Sequence, residues 1–190
     1  MKIGVTPRFE KSKNGETRFS FEESVLNFLL KLTEPDDILF LNPNSLKIPN
    51  GIGLLVIPGG DTPGENFIRD NFEKQLIAQA RKNGTKILGI CRGAQLLAVI
   101  DNAQLVQIKG HVNQYRNLVN RTEFQGRCFH NWAILDMPSN WEILARDKID
   151  NSIEIFGSKN RIELGIMSHP ERSDNYSDMA KMIGDFLSVL

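Results

Sequence analysis

Gly89-Ile90-Cys91-Arg92-Gly93 follows directly on the apolar run Lys86-Ile87-Leu88, and no other stretch of the chain constrains folding as tightly. A cysteine with glycines two residues before and two after, set between a strand and a helix, is the cysteine form of a nucleophile elbow. The turn is tight enough that side chains on its flanks would collide, so small residues are required there. It lifts the thiol out at the end of a sheet and at the start of a helix. The helix dipole and its free N–H groups favour a thiolate at that point. A free thiol titrates at about 8.5, and such surroundings lower it to roughly 3.5–7.5.

The rest of the chain supplies the sheet this turn needs. Lys2 to Thr6 reads as a first strand, and Pro7 to Thr17 as a polar loop. Phe21, Val25, Phe28, Leu29 and Leu32 recur at helical spacing, which predicts a helix from about Ser20 to Leu32. Ile38 to Leu41 is a short strand, and Ile52 to Ile57 another that stops at Pro58-Gly59-Gly60. Asn66 to Asn83 is helical with Phe72, Leu76, Ile77 and Ala80 inward, and Gly84 stands where a left-handed cap belongs. The strand Lys86 to Ile90, the elbow and a helix from Arg92 to about Ile100 follow. Strand and helix in alternation predict an α/β fold with a mostly parallel sheet covered on both faces. Gln104 to Gly157 reads as added antiparallel strands, including Trp132 to Leu135 and Ile153 to Phe156. Arg161 to Met167 is a strand leading into Ser168-His169-Pro170-Glu171. Met179, Met182, Ile183, Phe186 and Leu187 mark a closing helix.

At 190 residues, one catalytic domain over 1–190 is expected. Lys and Arg total 23, as do Asp and Glu, so no charge excess points to nucleic acid or an anionic membrane. No apolar run nears the roughly 20 residues needed to span a bilayer. The N-terminal strand lacks a signal-peptide core, and Cys91 and Cys128 are too few for a disulfide framework. A reducing cytoplasm is therefore the expected compartment.

A cysteine nucleophile needs a base, and the base needs an orienting group. Of His111, His130 and His169, only His169 lies just past a strong C-terminal strand, the end at which open parallel sheets bind ligands. Glu171 follows two residues later and can reach back to the imidazole, with Pro170 stiffening the link. Cys91, His169 and Glu171 thus form a candidate triad. The backbone N–H of Arg92 and that of Gly60 are the candidate oxyanion donors. Taken singly, each feature has a plainer explanation: a packed cysteine, a strand-ending turn, a core histidine. Their order, each at a predicted strand end, is what carries the chemistry. His111 and His130 read equally well as structural histidines or substrate contacts. No metal-ligand spacing is present, and neither metal nor cofactor is expected.

These residues resemble the class I glutamine amidotransferases, and within them the gamma-glutamyl hydrolase-like branch that includes gamma-glutamyl-gamma-aminobutyrate hydrolase. The marks are Pro58-Gly59-Gly60, Gly89 to Gln95, and His169-Pro170-Glu171, with weaker ones at Arg69-Asp70, Glu73 and Phe129 to Ile134. The resemblance implies a flavodoxin-like central sheet and attack by Cys91 on the γ-carbonyl of a glutamyl amide. It implies proton transfer through His169, orientation by Glu171, and a γ-glutamyl thioester that water resolves to glutamate. It also implies that Gly59, Gln95, His130, Asn131 and Trp132 hold the glutamyl head group. The chain departs from the family where Arg127-Cys128, rather than Asn-Ser, precede Phe129-His130; Cys128 is expected to be a packing residue.

The leaving group is a separate question. Lys109, Arg116, Arg121 and Arg127 face the single acid Glu123 within one segment, beside His111 and Tyr115. This is either a solvated basic face or a pocket for an anionic leaving group, since arginine forks suit phosphate oxygens. The chain also resembles the small amidotransferase-like hydrolases of bacterial capsule phosphoramidate pathways, which take glutamate off gamma-glutamyl-CDP-amidate. That resemblance implies a nucleotide phosphoramidate as the small-molecule partner. A glutaminase subunit feeding ammonia to a separate synthetase is the alternative. Pro7 to Thr17 and Gly110 to Arg121 are candidate lids by polarity.

Overall fold

The computed structural model describes residues 1–120, 123–173 and 177–188. In chain order its strands are β1 (Lys2–Val5), β2 (Arg8–Lys11), β3 (Thr17–Ser20), β4 (Asp37–Phe40), β5 (Ile52–Ile57), β6 (Lys86–Ile90), β7 (Leu105–Gln107), β8 (Val112–Val119), β9 (Glu123–Phe129), β10 (Trp132–Ile134), β11 (Trp141–Asp147), β12 (Ile153–Ser158) and β13 (Glu163–Ile166). The helices are α1 (Glu23–Thr33), α2 (Phe67–Asn83), α3 (Arg92–Ile100) and α4 (Ser177–Ser188).

The main sheet runs β4-β1-β5-β6-β13-β12-β11-β8-β9. Its first five strands are parallel, and the following four are antiparallel additions. This is the expected α/β architecture of a mostly parallel sheet flanked by helices. The inner parallel strands β5, β6 and β13 are buried on both faces and so read as largely apolar runs; β6 is buried at every residue. One apolar cluster joins α2 and α3 to one face through Phe72, Leu76, Ile77 and Leu97. The other joins α1 and α4 to the opposite face through Val25, Phe28, Leu29, Met179 and Ile183.

Register sets up the functional end. Ile57 pairs with Gly89 across β5 and β6, and Ile90 pairs with Ile166 across β6 and β13. Three neighbouring strands therefore end at one level and release Pro58-Gly59-Gly60, Cys91 and, after Met167-Ser168, His169.

Three expectations need correction. Pro7 to Thr17 is not a structureless loop, because β2 and β3 form a hairpin with Phe9 opposite Phe19. Its alternating charges hid a strand pair whose one inward anchor, Phe9, packs against Phe72. The candidate lid Gly110 to Arg121 is mostly β8, hydrogen-bonded to β9 on one side and β11 on the other; Arg121 itself lies outside the described residues. The first helix starts at Glu23 rather than Ser20, because Ser20 still pairs with Arg8 and Glu22 is extended.

Candidate active site

Cys91 has φ +50° and ψ −102°, a conformation that L-residues rarely hold. The glycines around it explain why the chain can turn there. A Cβ on Gly89 would stand 2.6 Å from the carbonyl carbon of Gly93, and one on Gly93 would strike the carbonyl of Ile57. The first helical turn thus lies flat against the ends of β5 and β6. Cys91 N–H donates to Ile166 O at 2.7 Å, tying the elbow to β13. The Arg92 N–H, at the first position of α3, has no partner within its own helix.

The structure brings Cys91, His169 and Glu171 together. The Cys91 thiol and the His169 imidazole share a hydrogen bond. His169 Nδ1 is 2.6 Å from Glu171 Oε1. All three are largely buried; Cys91 is 6% exposed and His169 2%. Burial pushes the Cys91 thiol up, but the hydrogen bond to His169 and the charges of His169 and His130 outweigh it and leave the thiol below its ordinary value. Burial would lower His169, yet its bonds to Cys91 and Glu171 raise it to about 9. The arrangement therefore favours a thiolate beside an imidazolium. Cys128 is the opposite case: burial, then the carboxylate of Glu154, push its thiol well above the ordinary range.

Gly59 and Gly60 lie against this pair. A Cβ on Gly59 would stand 2.8 Å from Cε1 of His169. Gly60 has φ +146°, and a Cβ there would run into the Arg69 guanidinium. Arg69 donates to the carbonyls of Pro58 and Gly59 at 3.1 and 3.2 Å, and to Glu73 at 3.0 Å. The Arg92 side chain turns under the same loop and bonds both Asp70 and Glu73. Asp70 in turn accepts from the Gly64 N–H at 2.6 Å, and Glu73 from the Thr6 hydroxyl at 2.8 Å. Arg69, Asp70, Glu73 and Arg92 are buried together and clamp the glycine loop from beneath. In sequence Arg69, Asp70 and Glu73 were only weak marks, since an i,i+4 Arg–Glu pair usually belongs to a solvated helix face.

A cavity of about 270 Å³ opens onto the thiol, lined by Gly60, Asp61, Thr62, Glu65, Cys91, Gln95 and Phe129 to Trp132. Gln95 Nε2 donates to Trp132 O at 3.1 Å, bracing the helix wall against the strand wall. His130 Nδ1 bonds the same carbonyl at 3.0 Å, so its ring is tethered while the backbone of 130–132 forms the wall.

The rim differs from the basic segment read in sequence. Arg116 is taken up by Asp147, at 2.7 and 2.8 Å, and by Asp150 at 2.9 Å, so it does not serve the cavity. Lys109 does not line it either. Arg127 does approach: its guanidinium stacks on Tyr115 and on Phe129, a cavity residue. Arg172 stacks on Phe129 as well, and it shares Glu22 with Arg8. Arg8 reaches the Gly60 loop from the hairpin, with Nε 3.5 Å from where a Cβ on that glycine would lie. Neither Arg8 nor Arg172 was singled out in sequence. Arg8 sits in a polar stretch, and Arg172 is one step past the His-Pro-Glu element.

The sequence model of the family "Glutamine amidotransferase class-I" matches residues 19–189. Over 122 residues the chain is 33% identical to gamma-glutamyl-CDP-amidate hydrolase of Campylobacter jejuni, covering 64% of this chain and 60% of that one. It is 24% identical over 164 residues to the carbamoyl phosphate synthase small chain of Escherichia coli, covering 83% of this chain and 40% of that one. The chain thus matches 60% and 40% of the lengths of these two relatives, less than two thirds of each. A glutamine amidotransferase structure from Thermotoga maritima superposes with a TM-score of 0.70 at 15% identity, over 98% of this chain and 90% of that one. A structure of PurLQS from the same organism gives 0.69 at 15% identity, over 96% of each. Among the described residues no helix is long and apolar enough to cross a membrane.

Proposed function

The chain belongs to the class-I glutamine amidotransferase family, and from that membership we propose that it is a cysteine-dependent hydrolase of γ-glutamyl amide bonds acting as a single catalytic domain. The observation that carries this reading is the strained Cys91, hydrogen-bonded to an imidazole that Glu171 holds at 2.6 Å.

In this reaction the Cys91 thiolate attacks the γ-carbonyl carbon of a glutamyl amide. The carbonyl π pair moves to oxygen, where the N–H groups of Gly60 and Arg92 receive it. Collapse of the tetrahedral intermediate breaks the C–N bond as the His169 imidazolium gives its proton to the departing nitrogen. A γ-glutamyl thioester remains. His169, now neutral, takes a proton from water, the resulting hydroxide equivalent attacks the thioester, and glutamate leaves as the thiolate reforms. Glu171 keeps the imidazole in the tautomer and orientation both steps need. Gly59, Gln95, His130, Asn131 and Trp132 hold the glutamyl head.

The cavity of about 270 Å³ lies at the small end of ligand pockets, which run roughly 300–1,000 Å³. It suits a glutamyl head and leaves the departing group at the rim. Arg8, Arg127 and Arg172 lie against the lining residues Gly60 and Phe129 there; Glu22 takes up Arg8 and Arg172, which leaves Arg127, without a carboxylate partner among the described residues, as the cation best placed for it. Such a rim favours an anionic leaving group, and the 33% identical Campylobacter relative is named for one. The preferred substrate is therefore gamma-glutamyl-CDP-amidate, giving cytidine diphosphoramidate for capsular phosphoramidate.

Mass-spectrometric assay of glutamate release across γ-glutamyl compounds tests this. Turnover of the CDP-amidate well above that of gamma-glutamyl-gamma-aminobutyrate or glutamine supports it. Preference for the aminobutyrate compound assigns a different hydrolase specificity. Strong hydrolysis of free glutamine without any partner supports a glutaminase instead.

A further inference from the structure

Outside the triad, the chain gathers a second set of chemically capable side chains. His111, Cys128, His130 and Glu154 bring one ligand atom each within 4.8 Å of one another, and all four are buried. They come from the residue before β8, from the end of β9, from the turn after it and from β12. No local spacing in the sequence unites them, which is why no metal was expected.

The distances have a recognisable scale. His111 Nδ1 and His130 Nε2 each stand 3.5 Å from Glu154 Oε1, and Cys128 Sγ stands 3.6 Å from Glu154 Oε2. Ligands at zinc bond lengths of about 2.0–2.3 Å on tetrahedral corners are separated by roughly 3.3–3.7 Å. The imidazoles are also tautomerically set. His111 Nε2 is 2.7 Å from Asp150 Oδ2, and His130 Nδ1 is 3.0 Å from Trp132 O. Both partners accept protons only, so each ring places its N–H outward and turns its other nitrogen toward Glu154. Those two nitrogens, His111 Nδ1 and His130 Nε2, are buried without a hydrogen-bond partner. Two such nitrogens facing a buried carboxylate call for positive charge, carried either by protons on the rings or by a metal ion between them. A metal-bound histidine whose far nitrogen is held by a carboxylate or a backbone carbonyl is the usual outer-shell arrangement.

We propose that His111 Nδ1, Cys128 Sγ, His130 Nε2 and Glu154 bind one divalent transition metal, with Zn²⁺ the best match to a thiolate, two imidazoles and a carboxylate. On binding, Cys128 loses its thiol proton to solvent and the sulfur donates an electron pair to the metal. Four protein ligands leave no open position, so the site is structural rather than hydrolytic. It rivets β8, β9 and β12 directly behind residues 130–132, the wall of the glutamyl cavity.

The test is metal analysis of the full chain after expression with added zinc and dialysis. About one Zn²⁺ per chain is expected. Replacement by Co²⁺ should give the visible bands of tetrahedral cobalt and a near-ultraviolet thiolate-to-cobalt charge-transfer band. Cys128→Ser should abolish that charge-transfer band. Asp150→Asn, which among the four ligands touches only the outer nitrogen of His111, should weaken zinc affinity by about 10–100-fold in a competition titration. Zinc far below stoichiometric overturns the site and leaves protons on the two imidazoles as the compensating charge. A cobalt adduct lacking the thiolate band, or an unchanged affinity in Asp150→Asn, overturns it too. If Cys128→Ser fails to fold, the cobalt spectrum of the unaltered chain decides alone.

Discussion

A β-carbon added to Gly59 would lie 2.8 Å from Cε1 of His169, closer than packed carbon atoms approach. The Pro58–Gly60 loop and the proposed base are therefore in direct steric register. Gly59→Ala must displace either the imidazole or the loop, and an ångström of misplacement can cost about 100-fold in rate. The expected result is a fall of about that size in kcat with an unchanged circular dichroism spectrum, read by steady-state assay.

The two cysteine variants that remove the thiol should differ in stability. Cys91 pays for its position with φ +50° and ψ −102°. Glycine tolerates this region and alanine does not, so Cys91→Gly should be more stable than Cys91→Ala by about 1 kcal/mol. Thermal unfolding of the pair measures the difference, and neither should form the thioester detectable by intact-mass spectrometry with substrate.

The pH dependence follows from the imidazolium. Burial works to lower His169, but Cys91 and Glu171 raise it to about 9, so in the proposed reaction it carries the proton owed to the departing nitrogen throughout the neutral range. Acylation should fall as pH rises through about 9. The sign for stability is the same: a raised histidine stabilises fully below its unfolded value and loses that contribution as pH climbs through about 9. Glu171→Gln removes one of the charges holding the proton, so the basic limb should move to lower pH in stopped-flow acylation.

Burial of the clamp makes Glu73 a stability residue as much as a positioning one. Glu73→Gln leaves Arg69 and Arg92 short of countercharge at 1% exposure each. Breaking a buried ion pair from one side costs about 3–5 kcal/mol. A correspondingly large loss in denaturant midpoint is expected, without a change in the γ-glutamyl compounds preferred.

Two arginines of the basic segment should separate by readout. Arg127→Ala should raise KM for a diphosphate-bearing substrate and leave that for a neutral γ-glutamyl amide little altered. Arg116→Ala should affect stability instead, because it strands the buried Asp147. Side-by-side KM and melting measurements distinguish the two roles.

The juxtaposition of Cys91, His169 and Glu171 was legible because each follows an apolar strand by a fixed short step, and parallel strands in register bring such steps to one edge. The parallel half of the fold was legible for the same reason: β5, β6 and α3 match their predicted limits. Arg116 misled because its partners, Asp147 and Asp150, lie some thirty residues on, and pairing at that range leaves no local pattern. Arg8 was missed because β2 buries only Phe9, too little for an alternation to register. The Arg69–Glu73–Arg92 clamp shows the limit most plainly. Charged side chains at helical spacing look alike whether water or a glycine loop covers them.

The backbone of β9 joins two parts of the site that chemistry would separate. The His169 N–H donates to the carbonyl of Arg127 at 2.7 Å, while the Arg127 side chain faces the rim. In the proposed reaction, selectivity and reactivity would thus share one strand. A lineage of such chains can exchange the rim side chain freely, but an insertion or a bulge at residue 127 would retune the base as well. Adaptation to new leaving groups should therefore proceed by substitution along β9 at constant length.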